Sequence, residues 1–278
     1  MSPSGIQLNK TAVVVILLLC GGLALVYRFY WNKAPLQPVQ KAMESQHKGW
    51  FTSMMTVPDE VKEAAKSTEV VKRMVNVTFD GKEMTICTRE PRLQDTPHGD
   101  VLLLHGQAFT SATWENLCPT LQFLGAAGYR AVAIDLPNYG ESTKIDVEGG
   151  KRGAFIGALI KQLKLTTPVI VSPSMSGTFS LPFLFDEPDT TPLRAKGYVP
   201  VAPVNTGSYK TQLGISKIPT AIVTGDQDTT IGPSARANLA DLSNSHDFLL
   251  KDAKHPAYLD DKETWHAILY TFLKTVYQ

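Results

Sequence analysis

From about residue 70 to the end of this chain, short apolar runs alternate with stretches whose hydrophobic residues recur at helical spacing. The first two runs, 74–79 and 84–88, are strand-like and meet at Asp80-Gly81, a dipeptide that predicts a tight hairpin. Val101-Leu102-Leu103-Leu104 then reads as a buried strand, 111–127 as a helix, 129–134 as a strand, 151–164 as a helix and 167–171 as a strand. A helix follows Ser174 and is interrupted by Pro182. Further on, 197–201 and 220–224 are strands, 235–242 a helix, 247–250 a last strand and 262–276 an amphipathic helix. Apolar strands alternating with helices predict an α/β fold, a mostly parallel sheet with helices on both faces.

The first 69 residues break this rhythm. No charge falls between Thr11 and Tyr27, residues 12–19 are wholly apolar, and Tyr27, Phe29, Tyr30 and Trp31 surround Arg28. A bilayer span takes about 20 apolar residues, and aromatics beside a cation suit the interface. Residues 1–31 therefore read as a membrane anchor, with the lipid bilayer as partner through 11–31. A signal peptide cleaved near Gly22-Leu23-Ala24 is the rival. Residues 32–69, with Pro35, Pro38 and many lysines, read as a stalk holding a short helix from Pro58 into 63–66, and 70–278 as the folded domain. Lys10 on one side of the apolar segment and Arg28, Lys33 and Lys41 on the other nearly balance. The N-glycosylation pattern Asn76-Val77-Thr78 tips the expectation toward a single-pass type II protein with a lumenal domain.

Composition narrows the chemistry by exclusion. The net charge is +1 with no basic stripe, which argues against nucleic acid as a partner. Cys20, Cys87 and Cys118 have no metal-ligand spacing, and no glycine-rich phosphate loop occurs, so neither metal nor dissociable cofactor is expected.

The residues able to do chemistry fall at the carboxyl ends of predicted strands, where parallel sheets build sites. His105-Gly106 closes one, Asp135 the next, and Gly225-Asp226-Gln227-Asp228 a later one, while His255 lies past the last. The strand 168–171 runs into Ser172-Pro173-Ser174-Met175-Ser176-Gly177 and then a helix, which is the pattern of a nucleophile elbow with Ser174 at its apex. Ser172 and Ser176 are rivals but suit the small flanks that such a turn tolerates. A serine hydroxyl is a weak nucleophile, so it needs a base in contact and an acid to orient the base. Asp226 and Asp228 compete for the second role. For the base, His47 lies in the stalk, His98 and His246 precede strands, His266 falls on the last helix, and His105 sits before Gly106 as a structural residue of the loop after the first buried strand. His255 alone occupies a loop after the final strand.

Leu103-Leu104-His105-Gly106, Asp135-Leu136-Pro137-Asn138-Tyr139-Gly140-Glu141-Ser142, the elbow, Gly225-Asp226-Gln227-Asp228 and Lys254-His255-Pro256 together resemble the alpha/beta-hydrolase superfamily over residues 70–278. With Leu181-Pro182-Phe183-Leu184 after the elbow, they look like its domain-containing-protein-14 family, whose A form is membrane-anchored. The resemblance implies a serine hydrolase with Ser174, Asp228 and His255 as its triad and the backbone N–H groups of Gln107 and Met175 as oxyanion donors. It further implies a small, acetyl-like acyl substrate as ester, thioester or amide. Serine flanks where glycine is usual, and Pro173 where histidine is common, depart from the superfamily pattern. Lids in this fold are inserted after the sixth strand, where residues 202–219 are too few, so no lid domain is expected. The competing reading is a catalytically silent scaffold that binds a protein partner at a membrane.

Overall fold

Val70–Phe79 (β1) turns back at Asp80-Gly81 into Lys82–Pro91 (β2), pairing antiparallel from Val70 opposite Pro91 to Phe79 opposite Lys82. Asp80 and Gly81 both hold positive φ, +53° and +70°, as this type of hairpin turn requires. The computed structural model describes residues 49–278. Its remaining strands are Asp100–Leu103 (β3), Arg130–Ile134 (β4), Val169–Pro173 (β5), Gly197–Val201 (β6), Thr220–Gly225 (β7) and Ser245–Leu250 (β8). Together they form one sheet in the order β1-β2-β4-β3-β5-β6-β7-β8, parallel from β4 to β8.

Nine α-helices occur among the described residues: Asp59–Ser67 (α1), Thr120–Ala126 (α2), Arg152–Gln162 (α3), Gly177–Phe185 (α4), Thr191–Arg194 (α5), Lys210–Ile215 (α6), Gly232–Leu239 (α7), Ala257–Asp260 (α8) and Lys262–Val276 (α9). Side chains alternate across a strand, so β3 feeds two cores. Val101 and Leu103 join a cluster with Trp114, Trp265 and Phe272, while Leu102 and Leu104 join Phe155, Leu181 and Tyr198 on the other face. Burial on both faces explains why β3, β5, β6 and β7 read as unbroken apolar runs.

Three local expectations change. The single helix expected over 111–127 is divided at Pro119 into a π-helical turn, Thr113–Leu117, and α2. Pro182 lies inside α4 without ending it. Packing also begins before residue 70: Trp50 and Phe51 lie against the core, Trp50 Nε1–H donates to Thr220 O at 3.0 Å, and Met55 N–H donates to Thr271 Oγ1 at 3.0 Å. The segment after β6 holds only a 3₁₀ turn, Thr206–Tyr209, and α6, with no lid domain.

The single-pass membrane expectation is corrected. No helix among the described residues is long and apolar enough to cross a membrane. The longest, α9, has 15 residues, or about 22 Å at 1.5 Å per residue, against a hydrocarbon core of about 30 Å. Residues 11–31, which carried the expectation, lie outside the described residues, as do Cys20 and His47. Asn76 is exposed on β1, where its side-chain carbonyl accepts from Thr85 Oγ1 at 3.1 Å.

Candidate active site

β5 ends in Pro173 and the chain reverses at once into a 3₁₀ turn, Ser174–Ser176, and α4. Ser174 is held at φ +50°, a region that L residues avoid. The turn is tight because Gly177 lets α4 close on the loop after β6: a Cβ at 177 would lie 2.6 Å from Val204 O. Of the three serines, only Ser174 faces a histidine. Ser172 and Ser176 are buried, and Ser176 Oγ–H donates to Pro173 O at 2.7 Å.

Asp228 follows β7 and Asp226 does not compete with it. Asp226 is exposed and accepts from the Gln227 side chain, whereas Asp228 is buried and receives five donors. Its Oδ1 accepts from Thr230 N–H (3.0 Å), Thr230 Oγ1–H (2.8 Å) and Ile231 N–H (3.2 Å). Its Oδ2 accepts from Gly232 N–H (2.9 Å), at the start of α7, and from His255 Nδ1–H (2.6 Å). Burial alone would raise the pKa of this carboxyl, but the hydrogen bonds from His255 and Thr230 outweigh it and bring the value down to about 2. Asp228 is therefore an anion at every physiological pH. The Thr230–Gly232 amides were not anticipated, although Asp228-Thr229-Thr230 carries the signature of a side chain capping its own turn.

With Nδ1–H committed to Asp228, His255 Nε2 carries a lone pair, and Ser174 Oγ lies 2.8 Å from it. Both residues are half-buried. The backbone around them is also set. Gly106 O accepts from His105 Nδ1–H (2.8 Å) and Phe109 N–H (3.0 Å), which turns the Gln107 N–H of the same peptide plane the opposite way. Ser174 O accepts from Val204 N–H at 3.0 Å and so turns the Met175 N–H away in the same manner. Neither N–H donates to another described residue. His105 is held as a neutral ring: burial lowers its pKa, and its Nε2 accepts from Leu136 N–H at 3.0 Å.

These groups open onto a cavity of about 250 Å³ lined by Gln107, Ala108, Phe109, Ile231 and Tyr258 as well as Ser174 and His255. The other histidines lie elsewhere. His98 packs edge-on to Tyr129, and His246 stacks on Phe51. His266 stacks on Phe123, its Nε2 lies 3.3 Å from Thr120 Oγ1, and burial pulls its pKa down to about 4. Cys87 and Cys118 are free and buried, and burial raises both thiols, Cys118 to about 11.

Solved structures show the fold: it is that of the alpha/beta-hydrolases. A predicted CIB-like hydrolase from Thermoplasma acidophilum superposes with a TM-score of 0.66 at 21% identity, over 75% of this chain and 99% of the other. An esterase from Exiguobacterium antarcticum does so with a TM-score of 0.59 at 15% identity, over 73% and 100%. No protein-family model matches the chain. Among curated proteins, "Putative protein-lysine deacylase ABHD14B" of Pongo abelii is 45% identical over 183 residues, 64% of this chain and 84% of the relative. "Protein ABHD14A" of Rattus norvegicus is 40% identical over 185 residues, 65% of this chain and 74% of the relative. The chain belongs to the ABHD14 family of alpha/beta-hydrolases, and it is an enzyme of the hydrolase class.

Proposed function

We propose that this chain is a serine hydrolase that removes small acyl groups from esters, thioesters or amides. The observation that best supports this is the unbroken relay from Ser174 Oγ to His255 Nε2 (2.8 Å) and from His255 Nδ1 to Asp228 Oδ2 (2.6 Å). In this reading Ser174 Oγ attacks the acyl carbonyl while His255 Nε2 takes its proton. The charge developing on the carbonyl oxygen is met by the N–H groups of Gln107 and Met175, each worth roughly a hundredfold or more in rate. His255 then returns the proton to the leaving oxygen, sulfur or nitrogen, and a water, deprotonated by the same Nε2, releases the acid from Ser174. Asp228, anionic throughout, stabilises the imidazolium that forms in each half. An acyl-lysine amide falls within this substrate class, and it is the chemistry carried in the name of the ABHD14B relatives.

Two measurements test the reading. A fluorophosphonate probe is expected to label the wild type and not Ser174→Ala. Equal labelling would move the nucleophile elsewhere, and a folded wild type that resists the probe would favour the binding-scaffold reading. The cavity of about 250 Å³ lies below the roughly 300–1,000 Å³ of sites that enclose drug-sized ligands. In a series of nitrophenyl esters, kcat/KM should therefore be highest for acetate to butyrate and fall for longer chains. Octanoate turning over faster than acetate would refute the small-acyl assignment.

A further inference from the structure

Four hydroxyls beneath the elbow have no part in the scheme above. They belong to Ser172 on β5, Ser176 in the turn, Ser180 on α4 and Tyr198 on β6, and each of these residues is 0% exposed. Tyr198 Oη lies 3.2 Å from Ser180 Oγ, Ser180 Oγ 2.6 Å from Ser172 Oγ, and Ser172 Oγ 3.1 Å from Ser176 Oγ. Ser176 Oγ ends the chain 2.7 Å from the carbonyl oxygen of Pro173.

Proton counting fixes the direction of every link. A carbonyl only accepts, so Ser176 must donate to Pro173 O. Each hydroxyl has a single proton, so Ser176 accepts from Ser172, Ser172 from Ser180, and Ser180 from Tyr198. The phenol stands at the head, where a donor is needed and a strong acceptor is not. Burial also keeps it protonated, raising its pKa to about 12. Links that all run one way polarise one another and strengthen together.

The chain ends on a meaningful atom. Pro173 C=O and Ser174 N–H share one peptide plane, and that plane sets the φ of Ser174, held at +50°. We infer that the Tyr198–Ser180–Ser172–Ser176 chain is a positioning device for the nucleophile. It clamps the Pro173–Ser174 peptide plane so that Ser174 Oγ stays within reach of His255 Nε2. The inference rests on the proposed function, in which Ser174 is the nucleophile. It also gives the serine flanks a task that glycine, the usual flank, has no side chain to perform. None of the four hydroxyls touches the reacting atoms.

The test uses the full chain with Ser176→Ala, Ser172→Ala, the double variant, Ser176→Cys and Tyr198→Phe. Melting temperature, the rate of fluorophosphonate labelling, and kcat and KM on nitrophenyl acetate are measured per folded molecule. Ser176→Ala is expected to lower kcat and the labelling rate by on the order of tenfold with KM within about twofold, since small misplacements of a reacting group are costly. Ser176→Cys, a weak donor in the same place, should recover part of the loss. Tyr198→Phe removes only the head of the chain and should cost about two- to threefold.

The double variant carries the sharpest signature. Each single alanine strands two partners, whereas the double strands only Ser180 O–H and Pro173 C=O, so its loss should fall well short of the product of the single losses. Unchanged kcat in Ser176→Ala and Tyr198→Phe would overturn the inference, as would losses that simply multiply. Tyr198→Phe keeps the ring and the packing, so it decides the matter should an alanine variant not fold. Residual labelling of Ser174→Ala would instead bring down the proposed function itself, a separate outcome from a fully active Ser176→Ala.

Discussion

Asp228→Asn is expected to lower kcat by about four orders of magnitude while leaving the fold and the Ser174 hydroxyl in place. The two oxygens of Asp228 differ in what they accept. Oδ1 takes Thr230 N–H, Thr230 Oγ1–H and Ile231 N–H, and Oδ2 takes Gly232 N–H and His255 Nδ1–H. The asparagine oxygen will occupy the Oδ1 position, which has more donors, leaving its NH₂ toward His255. Nδ1 must then accept, the ring proton moves to Nε2, and Nε2 can no longer take the proton of Ser174. Steady-state rates on nitrophenyl acetate, with fluorophosphonate labelling alongside, measure the loss. A drop of less than about tenfold would mean that Asp228 does not set the tautomer.

The largest effect on stability is expected at Trp114, outside the reacting groups. Its ring is wholly buried, lies 4.6 Å from Tyr258 and 6.0 Å from Trp265 between ring centres, and its Nε1–H donates to Leu104 O at 2.8 Å. Trp114→Ala leaves a cavity and an unmet carbonyl, which together should cost about 3–5 kcal/mol. That is a large part of the roughly 5–15 kcal/mol that holds a domain folded. Trp114→Phe keeps most of the packing and loses the hydrogen bond, for about 1–2 kcal/mol. Urea unfolding gives both values, and a cost below about 1 kcal/mol for the alanine would show that the site collapses to fill the space.

How far the sequence could be read depended on the kind of signal. The Asp80-Gly81 hairpin and the buried strands were legible because local turn chemistry and two-sided burial each leave a pattern in consecutive residues. Its position after the last strand distinguishes His255, whose Nε2 lies 2.8 Å from Ser174 Oγ. Other features depend on partners far apart in the chain. Trp50 looked like part of a linker because its neighbours lack periodicity, yet its indole reaches Thr220 across 170 positions. Pro182 was expected to interrupt a helix, and tertiary packing overrode that local preference. Taken locally, the serines at 172 and 176 read only as small flanks. Their pairing with Ser180 and Tyr198 needs β5, α4 and β6 to be adjacent, which no local window reveals.

The left-handed backbone at Ser174 has a consequence for anyone who evolves this chain in the laboratory. Holding a non-glycine residue at φ +50° costs on the order of 1–3 kcal/mol, and glycine would carry little of it. Backbone preference and hydroxyl chemistry thus pull against each other at a single codon. A mutant library ranked by melting temperature alone would favour glycine at 174 and discard the proposed nucleophile in its first round. Selection for robustness must therefore be run with turnover as a second criterion.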